Sequence, residues 1–167
     1  MTPADLPTPP GRPGDSVAIG QIGVAQGGGV LRTFVGSCVG LVLHNRHHRA
    51  AGLAHVMLPS SHGRGSPPGK YADTAVAETL RLVREVAGEP TLSVTAKLVG
   101  GAAMFAFQSG LPIGEQNVLA IEKILLDFGI PITGRLCGGR HGRRLTVDVV
   151  TGVVTVETAG QGTEILA

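Results

Sequence analysis

The chain has no tryptophan, one tyrosine and four phenylalanines among its 167 residues. So few rings argue against the aromatic stacking surfaces on which single-stranded nucleic acid is held. A formal net charge of +2 is equally too small to imply a polyanionic partner. Charged residues make up only 16% of the chain and hydrophobic ones 43%, the balance of a folded globule rather than a disordered segment. No apolar run approaches the ~20 residues that a membrane-crossing helix requires. No basic, then apolar, then small-residue leader opens the sequence, so the expectation is a cytoplasmic protein with no membrane insertion and no nucleic-acid partner. Cysteine is scarce too. Cys38 and Cys137 are the only two, with no C-x-x-C spacing, which excludes a disulfide framework and gives no zinc signature.

Glycine and proline are abundant, at 26 and 11 residues. The prolines concentrate in "MTPADLPTPPGRPGD", so residues 1–15 are expected to be a flexible tail and residues 16–167 a single domain. From Ser16, "SVAIGQIGVAQ" reads as a strand broken near Gly20, and "VLRTFVGS" as the next strand after the Gly27–Gly29 turn. "CVGLVLHNRHHRAAGLAHVMLP" reads as a hairpin with the polar "HNRHHR" at its tip. "DTAVAETLRLVREVAG" has helical spacing, with Val76, Leu80, Val83 and Ala87 inward, Asp73 as cap and Gly88 as stop. "LSVTAKLVGG" is a strand. "NVLAIEKILLDFG" is a second helix with Val118, Ile121, Leu125 and Phe128 inward, capped by Asn117 and Gly129. "ITGRLCGG" supplies a strand, and "RLTVDVVTGVVTVETAG" a hairpin turning at Thr151-Gly152. Strands, helix, strand, helix, strands is the order of an α+β or mixed α/β sandwich, with helices packed on sheets.

One pair of residues could carry chemistry. If the first hairpin turns between Arg46 and His47, Cys38 stands directly opposite His55. Directly opposed residues share a face, with Cβ atoms about 4.5–5.5 Å apart. A one-residue slip would separate them. An imidazole beside a thiol favours or generates the thiolate, the attacking form, and can then protonate a departing amine. Backbone N–H groups near Cys38 could hold an oxyanion. Thr33 is the nearest third group to orient the histidine, but its odd spacing from Cys38 requires a bend at Gly36-Ser37. Spacing alone leaves two readings open, since a cysteine in an apolar run is more often a buried small hydrophobe.

Other features carry less. His44, His47 and His48 lack an acidic or thiol companion, and an exposed hairpin tip explains them better than a metal site. Arg135, Arg140, Arg143 and Arg144 either attract an acidic surface or belong to a solvated loop. "GGAAMF" lacks the Lys-Ser/Thr ending of a phosphate-binding loop. Cys137 reads as a buried small residue.

The segments "GSCVGLVL", "GLAHVMLP", "PGKYADTAV", "GGAAMF", "IGEQNV" and "GGRHGRRLTVDVVTG" occur in this order. Together they resemble the chemoreceptor glutamine deamidase family, CheD, over about Val17 to Val156. The resemblance implies an α/β sandwich similar to the catalytic domain of cytotoxic necrotizing factor toxins. It implies a cytoplasmic enzyme that converts glutamines of methyl-accepting chemotaxis receptors to glutamates, and in some members also hydrolyses glutamyl methyl esters. The family's nucleophile falls on Cys38, its histidine on His55 and its threonine on Thr33 of "RTFVGSC". No metal or organic cofactor is implied. Two alternatives stand beside this one. One is a chemotaxis adaptor acting mainly by binding a CheC-type phosphatase or the receptor. The other is a thiol hydrolase with an unrelated protein substrate.

Overall fold

The computed structural model describes residues 16–104 and 110–167, so the expected tail at 1–15 lies outside the described residues. Nine strands and two α-helices are found among them: β1 (Ile22–Gln26), β2 (Val30–Val35), β3 (Val39–Asn45), β4 (Ala50–Val56), α1 (Ala72–Ala87), β5 (Thr95–Gly100), α2 (Ile113–Asp127), β6 (Ile132–Cys137), β7 (Arg143–Asp148), β8 (Val154–Thr158) and β9 (Gly162–Leu166). They form a five-stranded sheet in the order β1-β4-β3-β5-β6 and a four-stranded sheet in the order β2-β7-β8-β9. The second is antiparallel throughout, and in the first only β5 and β6 run parallel. The fold class is therefore α+β, as the order of elements predicts.

The layers follow from what each sheet must cover. One apolar cluster joins the five-stranded sheet to the helices, through Leu41, Leu43, Ala54, Leu98, Val76, Val83, Ile121 and Leu125. A second joins the two sheets, through Val42, Leu53 and Val99 on one side and Leu31, Leu145, Val147 and Val156 on the other. The five-stranded sheet is thus covered on both faces. That is why β3 and β4 read as continuous apolar runs and why all of β4 is buried. The four-stranded sheet is covered on one face only, so β2 alternates, with Leu31, Thr33 and Val35 inward and Arg32 and Phe34 outward.

Several local expectations need correction. The first strand begins at Ile22, and Ser16 makes only an isolated bridge to Arg32. Asp73 does not cap α1. Tyr71 stands at that position, and the Asp73 carboxylate instead accepts the backbone N–H and hydroxyl of Ser61. Gly88 does end α1, in the left-handed conformation at φ 68°. Helix α2 starts five residues earlier than its polar signal suggests, after Pro112, so Asn117 lies inside the helix. Phe128, its C-cap, is 48% exposed, with Gly129 following it at φ 69°. His44 is not part of an exposed tip: it is buried, with Nε2 3.0 Å from the Val149 carbonyl. β9 has no counterpart in the sequence pattern. Its residues are almost all exposed, so it carries no alternation to read.

Candidate active site

The β2–β3 connection is the structural origin of the site. β2 belongs to the four-stranded sheet and β3 to the five-stranded one, so the chain crosses between sheets at Gly36, Ser37 and Cys38. The bend that Thr33 requires is therefore present, and it is a change of layer rather than a kink within a strand. Thr33 reaches the site from β2, His55 from β4 and Cys38 from the connection itself.

The hairpin register differs from the one expected. Val39 pairs with Val56 and Gly40 with His55, because a four-residue turn at Arg46–Arg49, with Arg49 in the left-handed region, moves its centre between His47 and His48. Cys38 is thus not directly opposite His55, and it lies just outside β3. The displacement is two residues in register, and side-chain direction repeats every two, so the pair is offset along one face rather than split across two. Cys38, His55 and Thr33 accordingly line one open cleft of about 710 Å³, together with Ser16–Ile19, Phe34, Gly36, Ser37 and Met104.

Hydrogen bonds fix the histidine. Thr33, 3% exposed, donates its hydroxyl to the Val17 carbonyl, and its oxygen lies 2.8 Å from Nδ1 of His55. Nδ1 is also 3.2 Å from the same carbonyl. The Thr33 hydrogen is already committed and a carbonyl can only accept, so Nδ1 must carry the proton. In the neutral ring the lone pair then sits on Nε2, the nitrogen free of these partners. The orienting acceptor at Val17 comes from the segment before β1, for which the sequence offers no side-chain signal.

Burial sets the resting charge of both groups. It pushes the Cys38 thiol up, and it pushes His55 below the ordinary imidazole value, an effect that the Val17 carbonyl partly offsets. Both shifts favour a neutral thiol and a neutral imidazole over a preformed thiolate–imidazolium pair. The sign of the pH dependence follows. Alkylation of Cys38 by iodoacetamide should rise with pH and keep rising beyond about 8.5, the unperturbed thiol value, with no thiolate plateau near pH 6. Mass-resolved labelling at a series of pH values measures this, and an acidic plateau would contradict the neutral pair.

The remaining candidates are distributed around this centre. Gly100 and Gly101 support the β2–β3 connection: the Gly101 N–H donates to the Cys38 carbonyl at 2.9 Å. Gly100 has φ 121°, and a Cβ there would lie 2.3 Å from that same carbonyl oxygen, so no larger residue fits. The arginines do not act as one cluster. Arg135 pairs with Glu122 at 2.6 Å and Arg144 lies 3.8 Å from Glu157. Arg143 is buried and donates to the carbonyls of Gly138 and Gly100. Cys137 lines a different cavity, of about 330 Å³, with its thiol pushed up to about 11 by burial and its Sγ 3.5 Å from the Leu98 carbonyl.

Two site residues escape a reading by sequence pattern. Val17 contributes through its main chain, and Asn117 reaches the β2–β3 connection from inside α2, donating to the Ser37 carbonyl at 3.2 Å and the Met57 carbonyl at 3.0 Å. The signal for Asn117 is an amide at a fully buried position of an amphipathic helix.

Among the described residues no helix is long and apolar enough to cross a membrane. Comparison with known proteins agrees with the motifs. A profile described as CheD chemotactic sensory transduction matches residues 57–158, beginning just after the three site residues. The chain is 37% identical over 150 residues to the chemoreceptor glutamine deamidase CheD of Thermotoga maritima, covering 89% of this chain and 94% of that one. It is 40% identical over 153 residues to the protein of the same name from Bacillus subtilis, covering 87% and 92%. The Bacillus licheniformis protein of that name is 39% identical, with 87% and 90% covered. A profile spanning most of the folded region, and relatives matched over nearly their whole length, establish that this chain belongs to the CheD family.

Proposed function

We propose that this protein is a chemoreceptor glutamine deamidase, with Cys38 as nucleophile, His55 as acid–base and Thr33 as the orienter of His55. The convergence of those three side chains on one cleft, in a family whose relatives are named for this activity, carries the reading.

In the resting site Nε2 of His55 accepts the thiol proton as Cys38 Sγ attacks the glutamine side-chain carbonyl. The carbon–sulfur bond forms and the carbonyl π pair moves onto oxygen, where backbone N–H groups of the connection hold it. As the oxyanion collapses, the C–N bond breaks, the imidazolium gives its proton to the departing nitrogen, and ammonia leaves. Water then attacks the thioester with Nε2 as base, and its proton returns to the sulfur as glutamate is released. A glutamyl methyl ester would follow the same path with methanol leaving. Among the described residues the cleft lining contains no carboxylate, lysine or arginine, and its one basic group is His55. A neutral amide loses no ion pairing on entry there, and the anionic product finds no cation to retain it.

The reading extends to a cytoplasmic location, where receptor tails are available, and to a catalytic fold similar to that of cytotoxic necrotizing factor toxins. Helix α2 leaves Leu119 48% and Leu126 79% exposed, which favours a protein partner there in addition to the receptor, such as a CheC-type phosphatase.

The direct test incubates the protein with a receptor cytoplasmic fragment and follows intact mass. Exchange of NH₂ for OH adds about one mass unit per glutamine, and fragmentation places it on the chain. Gain at a small number of glutamines is the expected result. No gain from folded protein, with Cys38 still reactive toward iodoacetamide, would sink the deamidase reading.

A further inference from the structure

Three consecutive carbonyls at the nucleophile are each held by a donor. The Gly36 carbonyl accepts the Ala102 N–H at 2.9 Å, and the Cys38 carbonyl accepts the Gly101 N–H at 2.9 Å. Between them, the Ser37 carbonyl accepts from Nδ2 of Asn117. The outer two are backbone contacts, so the middle one is the only link of the three that a side chain supplies.

Asn117 is suited to holding a peptide rather than to building a helix. Asparagine is a poor helix-interior residue, and fully buried helix positions are normally apolar. Its orientation is determined, because both partners are carbonyl oxygens and only the NH₂ end of the amide can serve both. One hydrogen goes to the nucleophile loop and the other to Met57, two residues beyond His55. The close approach of α2 depends on Gly114, where a Cβ would lie 2.5 Å from the backbone of Gly101. Helix, Gly101 and Cys38 are therefore stacked without space for play.

The consequence lies on the opposite edge of the same peptide. In a trans peptide the C=O and the following N–H point in opposite directions within one plane. The only cis bond among the described residues is Ser66–Pro67. Holding the Ser37 carbonyl against α2 turns the Cys38 N–H away from the helix. Among the described residues no backbone carbonyl accepts the N–H of Ser37 or of Cys38, and both residues line the cleft. A hydrogen bond to the carbonyl also polarises the peptide, making its N–H a stronger donor.

We infer that Asn117 is a positioning residue that locks the Ser37–Cys38 peptide so that the Cys38 N–H is preset as a donor to the oxyanion formed at Cys38. This rests on Cys38 acting as an acyl-accepting nucleophile, as proposed above.

Two reactions of the same sulfur separate this role from simple structural support. Alkylation by iodoacetamide is a displacement with no oxyanion. Acylation by p-nitrophenyl acetate passes through one: the S–C bond forms, the thiol proton goes to His55, the ester C–O bond breaks and p-nitrophenolate leaves. Both are read at Cys38 by peptide mass, in the unmutated protein and in Asn117→Ala and the isosteric Asn117→Asp. The expected result is alkylation within about threefold of the unmutated rate and acylation slowed roughly 10- to 100-fold, the range of a displaced or lost oxyanion donor. Parallel loss of both rates, or unchanged acylation, would overturn the inference.

A second measurement needs no variant. In the unmutated protein, a small aldehyde that adds to Cys38 as a hemithioacetal should move the Cys38 amide proton downfield. An unmoved resonance would also overturn the inference. Neither test uses the receptor. A protein that acylates normally but leaves receptor glutamines unchanged would refute the proposed function and leave this role standing. A protein that alkylates but never acylates would refute this role.

Discussion

Replacing Cys38 by alanine should reduce deamidation of a receptor fragment by at least roughly 10³-fold, because the covalent route disappears with the sulfur. The fold should tolerate the change. Cys38 is only partly buried, lies in a connection rather than in a strand, and holds its neighbours through its main-chain carbonyl, which alanine keeps. Cys137→Ala is the matched control. Cys137 lines a separate cavity and has a thiol pushed well above neutrality, so its loss should change the rate by no more than about twofold. Initial rates of ammonia release, alongside thermal unfolding of both variants, provide the comparison. Substantial activity in folded Cys38→Ala would remove the nucleophile from the mechanism, and equal losses in the two variants would mean that the effect is structural.

His55→Ala should cost roughly 10²–10⁴-fold, the usual contribution of a positioned acid–base group. It leaves a ring-sized space beside Thr33 and Val17, so added imidazole should restore part of the rate. Thr33→Val removes the hydroxyl at nearly constant shape and leaves Nδ1 with only the longer contact to the Val17 carbonyl. Its expected loss is smaller, roughly 10-fold, and falls on kcat rather than on KM, because the ring angle is less firmly held while the tautomer, still set by the Val17 carbonyl, and the cleft are unchanged. The pH profile checks the same assignment. In the proposed mechanism activity needs His55 neutral and the Cys38 proton present for transfer, so it should be lost as pH falls through the His55 value and as pH rises through the Cys38 value. Burial moves the first down and the second up, which widens the plateau across neutral pH. A Thr33→Val enzyme with an unaltered kcat, or a narrow optimum near pH 8.5, would contradict the assigned roles.

Much of this site was legible because β-structure has a period of two. The alternation of Leu31, Thr33 and Val35 places Thr33 inward without any knowledge of the fold. The parity of the hairpin also survives an error in its turn: the centre moved by one position, the register by two residues, and Cys38 and His55 still meet at one cleft. Both helical faces were legible where packing is simple, at Val76, Leu80 and Val83 and at Ile121 and Leu125. The helix ends differ from the pattern, because Asp73, Asn117 and Phe128 answer to tertiary partners or to solvent rather than to capping preference.

The amino-acid sequence by itself determined which side chains could do chemistry, through local alternation and the identities of Thr33, Cys38 and His55. Only the tertiary structure decided that the chain changes sheets at Gly36–Cys38, that the Val17 carbonyl selects the histidine tautomer and that Asn117 grips the Ser37 carbonyl from α2. The last two depend on main-chain carbonyls met by side chains 38 and 80 residues away along the chain. A carbonyl oxygen is the same in every residue, so its partner is chosen by packing and leaves no mark on the sequence.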